Sequence, residues 1–251
     1  MRTNRHKVKI VMAFALSMVL FFSFIKVSAQ DTTFRNTYWR TASELIFSLG
    51  DVEASNGSNE AYEISSYMRF SGFFNLQYQY HWDFSKRFGL MTGFGVRNVG
   101  FINNLNDSVK LKQRVYSFGI PLALKVGKLP DNFTLALGVE PELFFHYKQK
   151  AFYDDEKYVK MGWFSDRVNL FNPSAFLDIR FKSDLYIRFK YYITDVLVPG
   201  KQSIGIGNYE LEFNPTTSKM FYIAIGSSIT NIEWFKNRSS SPDVYFSKNR
   251  N

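Results

Sequence analysis

Apolar and polar side chains alternate along most of the chain. Phe74, Leu76, Tyr78, Tyr80 and Trp82 interleave with Asn75, Gln77, Gln79, His81 and Asp83. A period of two marks a strand with one apolar face. The same pattern recurs at Phe118–Val126, Leu135–Phe145, Ala175–Phe181, Leu185–Tyr191 and Phe221–Ile225, and strands are also predicted over Glu44–Val52 and Phe88–Gly100. The total is eight strands, with no comparable helical stripe.

The connections alternate in length. Short ones fall at Phe84–Arg87, Lys128–Asn132 and Lys182–Asp184, and long ones at Glu53–Tyr67, Ile102–Lys112, Lys148–Asn169 and Pro199–Ser218. Short turns on one side and long loops on the other are the layout of an up-and-down transmembrane barrel. A water-soluble barrel would also alternate, with its apolar face inward, so side-chain volume has to decide between them. An eight-stranded lumen has little room. The apolar face is built of Phe, Tyr, Trp, Leu and Ile, whereas the other face carries Gly89, Gly93, Gly95, Gly119, Ala123, Ala136, Gly138, Ala224 and Gly226 between charged residues. The bulky face is therefore turned outward, toward lipid.

That orientation predicts a lumen lined by Arg97, Lys125, Glu140, Glu142, Asp178, Arg180, Arg188 and Lys190. Buried ions must pair, so Glu140 and Glu142 are expected to bridge to bases on nearby strands. The two uses of such a lumen are a plug of paired charges and a conducting path. Aromatic girdles are expected at Tyr80, Trp82, Phe88, Phe133, Trp234 and Phe235 on the short-turn side. Phe101, Tyr116, Tyr147, Phe171 and Tyr191 are their counterparts by the long loops.

Residues 1–29 have a basic start, an apolar run from Ile10 to Ile25 and small residues at Val27-Ser28-Ala29, the layout of a cleaved secretory signal peptide. The predicted organisation is signal peptide 1–29, periplasmic segment 30–43, outer-membrane barrel 44–235 and polar tail 236–251. The full chain has 251 residues and a net charge of +9, and removing the five bases of the first 29 residues leaves 26 bases against 22 acids. That balance gives no electrostatic case for nucleic acid. The absence of Cys excludes a disulfide scaffold and lipidation of the mature end.

Ser43-Glu44-Leu45-Ile46-Phe47-Ser48, Gly93-Phe94-Gly95-Val96-Arg97-Asn98-Val99-Gly100 and Ile120-Pro121-Leu122-Ala123-Leu124-Lys125 resemble the PorT-like outer-membrane β-barrel domain family. The resemblance spans nearly the whole mature chain. It implies a small Gram-negative outer-membrane barrel without catalytic residues, in a group of which some members assist protein secretion. The chain departs from many bacterial barrels by continuing past Phe235 to Asn251.

Candidate chemistry is sparse. His81 and His146 fall at opposite ends of their strands, so a hydrolase would have to use His146 alone, oriented by Asp154 or Asp155. Gly205-Ile206-Gly207 lacks the context of a nucleotide site, and Asp154-Asp155-Glu156 is ringed by lysines. No cofactor or metal is expected. Lys110, Lys112, Arg114, Lys148 and Lys150 should share one exterior rim, a candidate contact for lipopolysaccharide phosphates. The functional expectation is a non-catalytic envelope scaffold or interaction partner, in a secretion or surface complex. The alternative is a small-solute channel or lipid-handling enzyme.

Overall fold

The computed structural model describes residues 36–230, except 57, 59, 107, 130–132, 183 and 207–208. The signal segment, Trp234, Phe235 and the tail 236–251 lie outside the described residues. The strands are β1 (Asn36–Ser55), β2 (Ile64–Tyr67), β3 (Arg69–Ser71), β4 (Leu76–Asp83), β5 (Phe88–Leu105), β6 (Val109–Gly119) and β7 (Leu122–Gly127). They continue as β8 (Thr134–Tyr153), β9 (Glu156–Trp163), β10 (Phe171–Arg180), β11 (Leu185–Tyr192), β12 (Ser203–Ile206), β13 (Tyr209–Glu212) and β14 (Asn214–Thr230).

Antiparallel pairing runs β1–β4–β5, then through β6 and β7 to β8, and on through β10 and β11 to β14, which returns to β1. The result is a closed ring of eight staves, the fold expected from the alternation. One stave is split into β2, β3 and β4. Another is split where Pro121, which has no N–H to donate, separates β6 from β7.

The staves differ from the sequence expectation in length. β1 and β8 each have 20 residues, where a transmembrane strand needs about 9–11. Asn36–Ser43, expected as a periplasmic segment, already pair with β4. At the other end, much of the expected long loops is strand: β5 and β6 stay paired as far as Leu105 and Val109, and β8 and β9 form a hairpin above the ring.

The extra length forms a second storey. In the lower storey the outward faces are apolar, as in Leu135, Leu137, Val139 and Leu143 of β8, while the same strand sends Glu140 and Glu142 inward. Higher up the sense reverses. β6 changes from outward Phe118 and Tyr116 to outward Arg114, Lys112 and Lys110, and its inward face becomes Val115, Leu111 and Val109. Val99, Phe101, Leu105, Ala151, Val168, Leu197, Ile204 and Phe213 complete a hydrophobic cluster there. The upper storey has the sense of a sheet in water, which needs a buried apolar face, and the lower storey has the inverse.

Two local irregularities matter. Tyr116 pairs with His146 but Ser117 pairs with Phe144, so Phe145 is an extra residue that shifts the parity of β8. The shift turns Tyr147 inward and Lys148 outward. Tyr147 and Phe101, both expected in the exterior girdle, are instead buried in the upper core; Phe101 lies on the same inward face as Arg97. Tyr116, Phe171 and Tyr191 do face outward. The second irregularity is at Gly72–Asn75, where Phe74 and Asn75 were expected to start a strand. Those residues leave the ladder, and Phe74 adopts φ 62°.

Candidate functional site

The eight charged side chains expected in the lumen are all there and buried. Small residues make the space for them: a Cβ on Gly119 would overlap the Glu140 carboxylate, and one on Gly226 would overlap the Tyr186 ring. Arg97 on β5 bridges Glu44 Oε2 at 3.1 Å and Glu140 Oε1 at 2.5 Å. Lys190 donates to Glu140 Oε2 at 2.8 Å and also to Glu142, which accepts from the Tyr192 hydroxyl at 3.1 Å. Arg188 grips Asp178 with two bonds of 2.6 and 2.8 Å and meets Glu44 Oε1 at 3.0 Å.

The network continues downward. Arg180 donates to Gln79 at 2.9 Å and reaches Asp178 at 3.3 Å. Below it, Lys125 contacts Asp83 at 2.5 Å, the Tyr38 hydroxyl at 3.1 Å and His81 Nδ1 at 3.0 Å. The His81 ring stacks on Tyr38 at 4.9 Å.

Glu44, Asp83 and His81 were absent from the expected lining. Glu44 alternates with outward Leu45, and Asp83 and His81 share the polar face of Gln77 and Gln79, so the signal was present. Among the described residues Glu44, Asp83, Asp178, Glu140 and Glu142 give five buried acids to six buried bases, Arg40, Arg97, Lys125, Arg180, Arg188 and Lys190, and Arg40, also missing from the expected lining, meets the half-exposed Asp184 at 3.3 Å. Near-neutral pairing offsets the desolvation of each ion.

On the outside, the five basic residues expected at one rim do come together. Lys112 pairs in register with Lys150 and Arg114 with Lys148, while Lys110 extends the column. Lys157 on β9 joins them. The Lys150 pKa is lowered by burial, by Lys157 and Lys148, and by Arg114 and Lys112. Such mutual repulsion is relieved by an anion. Below the column Arg114 lies over the Tyr116 ring at 5.4 Å, and His146 makes edge contacts with Trp163 at 4.9 Å and Tyr116 at 5.6 Å. The His146 pKa is lowered by burial, then by Arg114 and Lys148. Asp154 and Asp155 sit at the hairpin tip beyond Tyr153, far along β8 from His146. They do not form a site with it.

Among the described residues β9 pairs with β8 alone, which leaves its other edge outside the ladder. Its outward side chains Val159, Met161 and Trp163 are 41%, 64% and 69% exposed.

No family model matches the chain, and no curated protein does. Among solved structures, Ail, the attachment invasion locus protein of Yersinia pestis, is similar at 10% identity over 75% of this chain and 98% of its own, with a TM-score of 0.32. Neisserial surface protein A aligns at 9% identity over 77% and 98%, TM-score 0.34. The outer membrane protein OprG from Pseudomonas aeruginosa aligns at 8% identity over 76% and 96%, TM-score 0.33.

Proposed function

We propose that this chain is exported through a cleaved signal peptide to the Gram-negative outer membrane. It serves there as a non-catalytic scaffold or interaction partner, working through its exterior storey. One observation carries the reading: around the ring the outward face is apolar over an ionic interior, and on leaving that belt it turns charged over an apolar core. Only a molecule standing half in hydrocarbon and half in water gains from that inversion.

The upper storey supports binding rather than transport. The lumen is filled by Arg97, Arg188 and Lys125, which are among the largest fully buried side chains. The β9 edge instead offers main-chain donors and acceptors beside an exposed apolar row, the means by which a sheet adds a partner strand. Lys157, at the tip end of the same strand, favours a partner segment with acidic side chains. A secretion or surface complex, the setting implied by the PorT-like resemblance, fits such a device.

The basic column supports a second contact, with lipopolysaccharide phosphates, because Lys110, Lys112, Arg114, Lys148 and Lys150 stand directly above the aromatic girdle.

Crosslinking in intact outer membranes followed by co-purification tests the main reading. A stable protein adduct is expected for the native chain and should be lost when Val159, Met161 and Trp163 are replaced by Ser. Finding the chain outside the membrane fraction, or without any protein adduct, would contradict it.

A further inference from the structure

One base of the exterior rim lies outside the column read from the sequence. Arg69, on β3, is partly buried, and its guanidinium is held as a fork on β5. Its Nη2 donates to Asn98 Oδ1 at 2.7 Å and its Nη1 to the Asn98 carbonyl at 3.2 Å. Asn98 is itself fixed, because its amide donates to Asn75 Oδ1 at 2.9 Å. The two bonds set the plane of the guanidinium and leave three of its five N–H donors for another partner. Arg114 is the charged side chain that acts on Arg69 most strongly, and among the described residues no acid balances the two.

The height of this fork follows from the ladder. Asn98, Tyr116, His146 and Trp163 form one cross-strand row, that of the exterior girdle. In the row above, Arg114 pairs on one side with Lys148 and on the other with Gly100, which carries no side chain to stand between Arg114 and the Arg69 fork. Strand residues two apart are separated by about 7 Å, so Arg69, Arg114 and Lys148 cover the girdle row and the one above it. In the row beneath, Val96, Phe118 and Leu143 form the top of the apolar belt. Phe74 meets Tyr116 edge-on at 6.1 Å, and Arg114 rests over the other side of this aromatic group, 5.4 Å from the Tyr116 centroid. Neither Arg114 nor Lys148 has a side-chain hydrogen bond or ion pair with a described residue.

Three cations at the girdle, with apolar wall directly below, fit the first polar group of an anionic amphiphile. A peptide carboxylate brings two oxygens and a single charge. A phosphate monoester carries about −1.5 to −2 at pH 7 and three terminal oxygens, enough to meet an oriented fork, a stacked guanidinium and an ammonium together. A phospholipid diester in the same place has a single charge and one terminal oxygen fewer, and leaves part of the cationic set unmatched.

The inference rests on the lipopolysaccharide contact read above and names the place where it is made. We propose that Arg69, Arg114 and Lys148 hold one phosphate monoester of lipopolysaccharide, carried on its acylated sugars. Asn98 orients Arg69 beneath the phosphate, Arg114 and Lys148 meet it from above, and the acyl chains run down past Phe74 and Phe118. Selection is for the doubly charged monoester over the diester.

Native mass spectrometry of the full chain in detergent tests this with bisphosphorylated lipid A, lipid A freed of its phosphates, and dipalmitoyl phosphatidylglycerol as the diester. Bisphosphorylated lipid A is expected to stay bound, and each of the other two to be retained at least tenfold less. Arg69→Gln should lower retention of bisphosphorylated lipid A at least tenfold. Arg69→Lys, which keeps the charge and loses the fork, and Asn98→Ala, which keeps the charge and releases the fork, should each lower it several-fold. Lys86→Gln, which removes an exposed charge at the short turns, should leave it unchanged. If Arg69→Gln does not fold, Arg114→Gln supplies the same test from an outward position. Native retention by Arg69→Gln and Arg114→Gln would overturn the proposal, as would equal retention of the diester or of lipid A without phosphate. Retention that falls only with Gln at Lys110, Lys112 and Lys150 would overturn this site and keep the lipopolysaccharide contact, whereas a native chain that retains no lipid A would overturn both.

Discussion

Glu44 and Arg188 meet at 3.0 Å in the lumen although β14 separates their strands. Glu44 also binds Arg97 and the Tyr186 hydroxyl, so one carboxylate joins three staves. Two of its partners are fully buried guanidinium groups, each held on its other side by a second acid.

Removing it exposes how much the lower storey depends on paired charge. Glu44→Ala leaves Arg97 and Arg188, both fully buried, each short of a partner, a loss expected to cost ~3–5 kcal/mol. The exposed Lys201–Asp166 pair, at 3.6 Å, should be worth no more than ~1 kcal/mol. Urea unfolding of both variants in lipid vesicles measures the contrast, and equal losses would contradict the lumen's role.

Phe145 offers a different kind of test, because deleting it removes the extra residue without touching the ladder below. Without it Phe144 inward, His146 outward and Tyr147 inward alternate regularly, so Lys148 and Lys150 keep facing outward and the register to β6 is unchanged. Deletion should therefore leave both storeys folded and residues 146–163 as resistant to protease as in the native chain. Limited proteolysis with intact-mass readout decides the point, and new cleavage confined to residues 146–163 would contradict the account of the bulge.

Filled lumens do not conduct. Planar-bilayer recordings of the native chain should show no steady large openings, and the double variant Arg97→Ala, Arg188→Ala should introduce them by vacating two of the largest buried side chains. Steady openings of the native chain would contradict the plug.

Much of this was legible in the alternation, and what was not has physical causes. All eight predicted lumen charges face inward because glycine and alanine on the same face gave away its narrowness. The upper storey was hidden because the alternation continues there with its sense reversed, so Val109 and Leu111 read as loop rather than core. Tyr147 was misplaced because no residue type announces a bulge at Phe145. The excursion at Gly72–Asn75 escaped because Phe74 stays in phase with Leu76 and imitates one more strand residue.

The basic column makes a claim about salt. If its cations bind lipopolysaccharide phosphates, replacing Lys110, Lys112, Arg114, Lys148 and Lys150 by Gln should lower the lipopolysaccharide that co-purifies, and raised ionic strength should lower it for the native chain. Quantifying bound lipopolysaccharide at two salt concentrations checks both, and an unchanged amount in the Gln variant would remove the contact.

The central claim concerns which medium meets the outer face of each storey. Because the chain has no native Cys, single cysteines can be placed at outward positions 137, 139, 143, 148 and 150 of β8 and spin-labelled in lipid vesicles. The account predicts that labels at 137, 139 and 143 collide with oxygen and are shielded from a water-soluble nickel relaxant, whereas those at 148 and 150 show the opposite. Nickel access of equal strength at all five positions would contradict it.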